Sequence, residues 1–140
     1  MEQNNRTGLL FKRITLSISG MMASTREFEV LQTANGMEAS VYDGPGNFIN
    51  GTSRKSCREA SRRYNGQSYD MLCEKLGHLG VRKWNGFNES DPNVLDGSMF
   101  RLDIELEGGR FIRAHGSNAY PPNYGRFEEM LRDLAYGKES

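Results

Sequence analysis

The sequence predicts an α+β fold, in which two main helices pack on an antiparallel sheet made of a meander and a C-terminal hairpin. Apolar and polar residues alternate at 14–18 and 100–106, as in half-buried strands, and apolar residues recur at helical spacing near both 69–79 and 124–136. A chain of 140 residues supports one core. We therefore expect residues 1–8 to be a disordered tail and residues 9–137 to form a single domain.

The first elements predict a meander. Residues 14–18 form one strand, a second begins near residue 28, and residues 37–42 return as a third. Asn35-Gly36 predicts a type I′ turn between the last two, because both residues tolerate positive φ.

A helix follows, with Ser68 as its predicted cap and Gly80 as its end. Its inner face is predicted to carry Tyr69, Leu72, Cys73, Leu76 and Leu79. Residues 81–84 are predicted to be extended, and residues 85–97 to form a polar loop.

The glycines at 108 and 109 predict a β-hairpin whose register can be argued from charge. A two-residue loop would place charge on the apolar face. A three-residue loop over 108–110 instead pairs Glu105 with Arg113 and Asp103 with His115 on the outside. We therefore predict the three-residue register.

The chain is predicted to end in a helix over 124–136. Asn123 is its expected cap and Gly137 its end, and Glu128 and Arg132 should pair on its outer face. The residues expected to face inward are Phe127, Met130, Leu131 and Leu134.

Composition excludes several classes of function. The 18 basic and 18 acidic residues balance, so global charge favours neither nucleic acid nor an acidic tail. The apolar runs are shorter than the roughly 20 residues that cross a bilayer, and the start is polar, so we expect a cytoplasmic protein with no membrane partner. Cys57 and Cys73 are expected to be reduced thiols. With His78 and His115 they match no zinc spacing, so no metal or cofactor is predicted.

The C-terminal half contains three short motifs, Trp84-Asn85-Gly86-Phe87, Leu95-Asp96-Gly97 and Gly116-Ser117-Asn118-Ala119-Tyr120-Pro121. They resemble an uncharacterised bacterial domain family that has Trp-x-Gly-Phe, Leu-Asp-Gly and Gly-x-Asn-Ala-(Tyr/Trp)-Pro motifs and no established function. The resemblance implies a shorter connection where residues 53–65 stand, which would make that segment an insertion of this chain.

Residues 53–65 carry a local charge of plus four, from five basic residues and Glu59. Arg54, Arg58 and Arg62 recur every four residues, so a helix would gather them on one face. We predict a partner-binding surface formed by Arg54, Lys55, Arg58, Arg62, Arg63 and Tyr64. The alternative is a solvated helix that docks through Tyr64 and keeps its arginines in water.

Four aromatic residues could form a groove for a peptide or small ligand: Trp84, Phe87, Tyr120 and Tyr124. The alternative is that these residues pack in the core and have a structural role. We favour this alternative, since aromatic clusters are usually buried and Tyr120 can anchor the connection before the last helix.

His115 and Ser117 suggest a small hydrolase, with Asp103 expected across the strand. The chain has no Gly-x-Ser-x-Gly elbow, and both residues leave the same strand end, so we predict that the protein is not an enzyme.

The favoured function is therefore a non-enzymatic protein–protein interaction module. Its size suggests, by analogy, an accessory or inhibitor protein of phages or mobile elements that acts on a host defence complex. The alternative is nucleic-acid binding through residues 53–65, with the arginines on phosphates and Tyr64 stacking on a base. A hydrolase using His115 and Ser117 is third. The expected partner is a macromolecule, more readily a protein than a nucleic acid.

Overall fold

The computed structural model describes residues 8–20, 25–44, 48–49, 52–53, 58–93 and 97–137. The strands are β1 (Phe11–Ser19), β2 (Thr25–Thr33), β3 (Gly36–Gly44), β4 (Phe48–Ile49), β5 (Thr52–Ser53), β6 (Arg58–Asn65), β7 (Asn88–Ser90), β8 (Met99–Leu106) and β9 (Phe111–Ser117). The helices are α1 (Gly66–Leu79) and α2 (Tyr124–Tyr136), with a short 3-10 helix at Val81–Trp84.

Seven strands form one sheet in the order β6-β3-β2-β1-β8-β9-β7, and β4 pairs with β5 separately. All neighbours in the large sheet are antiparallel except β7 and β9, which are parallel. The predicted α+β class is confirmed. Of the predicted tail over residues 1–8, residues 1–7 lie outside the described part, and Gly8 lies against the backbone of Cys73.

One face of the sheet, called the apolar face below, packs against the helices. Both α1 and α2 contact β3 and β6, and α2 also contacts β2. Fully buried side chains of this core include Phe11, Ile14, Leu16, Phe28, Ile104, Phe127 and Leu131. No helix in the described part of the chain is long and apolar enough to cross a membrane.

The alternate residues of the same strands form the polar face. Ser17, Glu27 and Glu29 lie on it and are nevertheless buried. The Ser17 hydroxyl donates to Glu27 at 3.4 Å, and Arg13 lies 3.8 Å from the Glu29 carboxylate. The polar face is thus stabilised by polar contacts between neighbouring strands.

The hydroxyl of Tyr69 joins α1 to β1. The ladder between β1 and β8 is irregular between Phe11 and Arg13. There the Tyr69 hydroxyl donates to the Phe11 carbonyl oxygen at 2.7 Å and accepts from the Phe11 N–H at 3.0 Å. Burial raises the pKa of Tyr69, so the group is a neutral phenol. A side chain therefore satisfies backbone groups at a bulge of the central strand.

The helix ends correct two details of the sequence analysis. Asn65, not Ser68, caps α1, because its side-chain oxygen accepts from the Ser68 N–H at 2.9 Å. Gly80 ends the helix with φ 78°, as predicted. Residues 81–84 form a 3-10 helix rather than an extended piece.

Helix α2 has the predicted bounds, and Arg132 donates to Glu128 at 2.6 Å. Asn123 occupies the cap position, but its side chain donates to the Leu79 carbonyl at 3.1 Å instead of capping.

The predicted type I′ turn is wrong. Thr33 pairs with Gly36, so the two loop residues are Ala34 and Asn35, and neither has positive φ. Gly36 is required for a different reason: a Cβ there would collide with the Tyr64 carbonyl oxygen. The glycine lets β6 approach β3 closely.

The hairpin register is also wrong, although the loop length is right. The Leu106 N–H donates to the Arg110 carbonyl at 2.8 Å, which leaves residues 107–109 as the loop. Asp103 therefore stands opposite Arg113, and Arg101 opposite His115. A shift of two residues keeps every side chain on its face, so the alternation of apolar residues cannot detect it.

We expect Gly36→Ala to lower the free energy of unfolding by about 1–3 kcal/mol, because the new methyl group must displace backbone of β6. Gly125→Ala is the matched control: nothing lies within 4 Å of a Cβ there, and its position in α2 favours alanine. It should raise the free energy of unfolding by about 0.4–1 kcal/mol. Urea unfolding measures both, and equal effects of the two changes would contradict the close approach.

We expect Tyr69→Phe to lower the free energy of unfolding by about 1–3 kcal/mol, since two buried backbone groups of Phe11 lose their partner. Tyr136→Phe removes an exposed hydrogen bond to Glu59 and should change stability by less than about 0.5 kcal/mol. Calorimetric unfolding of both variants checks this, and a neutral Tyr69→Phe would show that the hydroxyl does not fix the bulge.

Candidate functional site

The basic segment is an edge strand rather than a helix. Residues 58–65 form β6, the outermost strand of the large sheet on this side, paired with β3. The helical face predicted for Arg54, Arg58 and Arg62 is therefore wrong. Arg54 and Lys55 lie outside the described residues.

The three described arginines of β6 are exposed and lie on both faces of the strand. Arg62 pairs with Ala39 and so belongs to the apolar face, whereas Arg63 pairs with Glu38 on the polar face. The register shifts next to Arg58, which pairs with Tyr42. The extra residue of this bulge is Glu59.

Each arginine has a different environment. The Arg58 guanidinium donates to the Tyr42 hydroxyl at 3.4 Å and lies 5.8 Å from its ring centroid, and this hydrogen bond raises the pKa of Arg58. Arg62 passes over Gly137, where a Cβ would collide with its side chain. Among the residues that the structure describes, Arg62 and Arg63 form no ion pair or hydrogen bond through their side chains.

The side chains of Tyr64 and Glu59 connect β6 to neighbouring elements of the fold. The Tyr64 hydroxyl donates to the Leu134 carbonyl at 2.6 Å, and its ring is half-buried against the core. Glu59 accepts from the Tyr136 hydroxyl at 3.0 Å and lies 3.9 Å from Arg26. The three arginines are therefore the exposed cations of β6, beside the exposed side chains of Glu59 and Asn65.

The four aromatic residues proposed as a groove form one cluster, of which two members are core residues. Trp84 is 3% and Tyr124 6% exposed, and Trp84 packs edge-on against Phe127 at 5.3 Å. Phe87 is half-buried. Tyr120 is 41% exposed and stacks on the buried Phe100 at 5.4 Å. Tyr120 is thus the member of the cluster most accessible to a ligand.

Tyr124 carries a buried hydroxyl without a hydrogen-bond partner among the described residues. Burial raises its pKa, and the nearby Glu128 carboxylate raises it further, although the two side chains do not align as a hydrogen bond. A shallow cleft of about 360 Å³ lies beside it, where the hydroxyls of Ser98 and Tyr120 bond to each other.

The Trp84–Phe87 motif has a structural role at β9. The Asn85 side chain accepts from the Arg113 N–H at 2.9 Å, and the Phe87 carbonyl accepts from the His115 N–H at 2.9 Å. The predicted polar loop 85–97 therefore contains a strand, β7, which continues this pairing along β9.

The segment after β9 is also structural. Asn118 adopts φ 58° and its side chain accepts from the Ser98 N–H at 2.9 Å. Gly116 is required because a Cβ there would collide with the Ala119 carbonyl. Leu95 and Asp96, of the Leu-Asp-Gly motif, lie outside the described residues.

His115 and Ser117 line a cleft of about 450 Å³ on the polar face. Asp103, the acid expected to orient the imidazole, instead pairs with Arg113 at 2.9 Å. Arg101 stands opposite His115 in its place. Arg101 is absent from the predicted site because the predicted hairpin register differs from the observed one by two residues.

Metal-binding side chains do not converge in the described ranges, which hold no group of three or more His, Cys, Asp or Glu residues able to bind an ion. Cys73 is a buried free thiol of α1, and Cys57 lies outside these ranges.

The chain matches no protein-family model, no curated protein and no solved structure. The resemblance to an uncharacterised bacterial family therefore stays a prediction.

Proposed function

We propose that the protein is a non-enzymatic binding module that recognises an acidic, extended segment of a partner protein along strand β6. The observation that carries this proposal is the exposure of three arginines on both faces of an edge strand. Arg62 and Arg63 have no acidic partner among the described residues, so their charges are available for binding.

The strand itself supports binding by strand addition. β6 has eight residues, which is long enough to pair with an incoming strand, and β3 occupies one of its sides in the described sheet. Backbone hydrogen bonds would supply affinity, and alternate side chains would supply specificity. Because successive side chains of a strand point to opposite faces, an acidic partner strand can present carboxylates to Arg62 on one face and Arg63 on the other.

The charge of β6 favours an acidic partner over a second copy of this chain. Its three arginines and one glutamate give a net charge of plus two by subtraction. Two such strands side by side would repel each other, whereas an acidic strand would be attracted.

Two details favour a protein over a nucleic acid. A phosphate backbone would be tracked best by cations on one face, whereas Arg62 and Arg63 lie on opposite faces. Tyr64 is held by Leu134 and packed against the core, which leaves its ring unsuited to stacking on a base. Action on a host defence complex stays a prediction, since it rests on protein size.

The proposal is tested with short synthetic peptides that alternate acidic and β-branched residues, measured by fluorescence anisotropy. We expect the double variant Arg62→Gln/Arg63→Gln to weaken binding by about two- to thirtyfold, because two exposed ion pairs are lost and each contributes about 0.2–1 kcal/mol. Arg82→Gln/Arg126→Gln is the matched control, since both of these arginines are exposed away from β6. It should bind like the unchanged protein.

Two further probes identify the mode of binding. A peptide of the same sequence with alternate N-methylated amides keeps its charge and loses strand pairing, so it should not bind. Single-stranded oligo(dT) tests the alternative, and steep weakening of its binding with salt would indicate phosphate contacts. Equal binding by both double variants, or tighter binding of oligo(dT) than of the acidic peptide, would refute the proposal.

A further inference from the structure

The polar face carries a second candidate site at the other side of the sheet, around Arg101 and His115. These two residues are direct cross-strand neighbours on β8 and β9. Ser17 on β1 flanks Arg101, and Asn88 on β7 flanks His115. Cross-strand neighbours share a face, so the four side chains form one row.

This row lines the cleft of about 450 Å³, a volume within the usual range of small-molecule sites. The next row of the same face adds Ser117, which pairs with Met99 on β8 and Ser90 on β7. Met99 is 50% exposed and supplies an apolar surface among these polar groups. The cleft thus offers polar donors beside an apolar contact.

The pairing of Arg101 with His115 has no internal acid to balance it. Arg101 and His115 form no side-chain hydrogen bond or ion pair with any residue that the structure describes. Asp103, two residues along β8, pairs with Arg113 at 2.9 Å. A guanidinium without an acidic partner can bind an anion in the cleft through charge-assisted hydrogen bonds, and the imidazole opposite it can offer a further N–H donor.

The other acidic residues near the cleft are placed away from this pair. Glu27 is buried beyond Ser17, whose hydroxyl donates to it. Glu89 lines the cleft but pairs with Gly116 in the parallel register, so alternation puts its side chain on the other side of β7. Neither Arg101 nor His115 therefore has a carboxylate as a direct cross-strand neighbour.

The cleft is lined by more hydrogen-bond donors than the two oxygen atoms of one carboxylate would be expected to engage. Arg101 supplies a fork of N–H groups, and His115, Asn88 and Ser117 supply an imidazole, an amide and a hydroxyl. A tetrahedral oxyanion has enough oxygen atoms for donors that approach from several strands, and arginine binds such groups in a bidentate way.

We propose that this cleft binds the tetrahedral oxyanion, phosphoryl or sulfuryl, of a small organic molecule whose apolar part lies on Met99. The site is independent of the binding proposed for β6. Four strands separate β6 from β9, a distance of about 24 Å at roughly 4.8 Å per strand step.

Phenyl phosphate is a suitable probe, followed by ¹H–¹⁵N NMR of the full chain. We expect saturable shifts at Arg101, His115 and Ser117, and tighter binding than that of inorganic phosphate, which lacks the apolar part. Phenyl sulfate distinguishes a general oxyanion site from one that prefers phosphate, and it supports the proposal if its shifts map to the same residues. Benzoate should bind more weakly than either.

Arg101→Gln should weaken phenyl phosphate binding about tenfold or more, as the loss of a charge-assisted bidentate contact predicts. Arg110→Gln is the control, because Arg110 is exposed beside the β8–β9 loop and does not line the cleft. The NMR spectrum shows that each variant is folded. Any of three results would overturn the proposal. They are NMR shifts that map to residues outside the cleft, equal affinity of the two variants for phenyl phosphate, and benzoate binding as tight as that of phenyl phosphate. Loss of acidic-peptide binding at β6 would leave this result untouched.

Discussion

The hydrogen bonds between the Tyr69 hydroxyl and the backbone of Phe11 join helix α1 to the central strand β1 of the sheet. They lie where the ladder of the central strand β1 breaks, between Phe11 and Arg13. The hydroxyl replaces the missing ladder contact and fixes α1 on the sheet at the same time. Asn65 both ends β6 and caps α1, so the basic edge strand, which pairs with β3, leads directly into the helix that this contact fixes.

The elements that sequence predicted well are those with one strong period. Apolar and polar residues alternate over 14–18 in β1 and along the whole of β8, and α2 has an apolar stripe and a terminal glycine, so their existence and the α+β class follow from pattern alone. β7 was not predictable in this way, because its three residues are all exposed. It exists because the backbone of the segment after Trp84 pairs with β9.

The candidate sites show a second limit of sequence patterns. A spacing of four between arginines fits a helix face, but four is also a multiple of two, so it fits a strand equally well. Tertiary pairing with β3 decided the matter, and the bulge at Glu59 then moved Arg58 and Arg62 to opposite faces. In the same way, a slip of two residues in the hairpin preserves the apolar face and changes the partner of His115 from Asp103 to Arg101. Charges alone could not reveal either arrangement.

The two edges of the large sheet are unequal. β6 offers eight residues, whereas β7 offers three, which are followed by Asp91 held to the Ser117 carbonyl at 2.9 Å. If a partner strand pairs with β6, that strand becomes the new outer edge of the sheet. This new edge differs from β6, so it does not offer the same surface to a second partner. Assembly through β6 would therefore close at one-to-one stoichiometry instead of propagating into a filament, which requires a heterologous contact that repeats without closing.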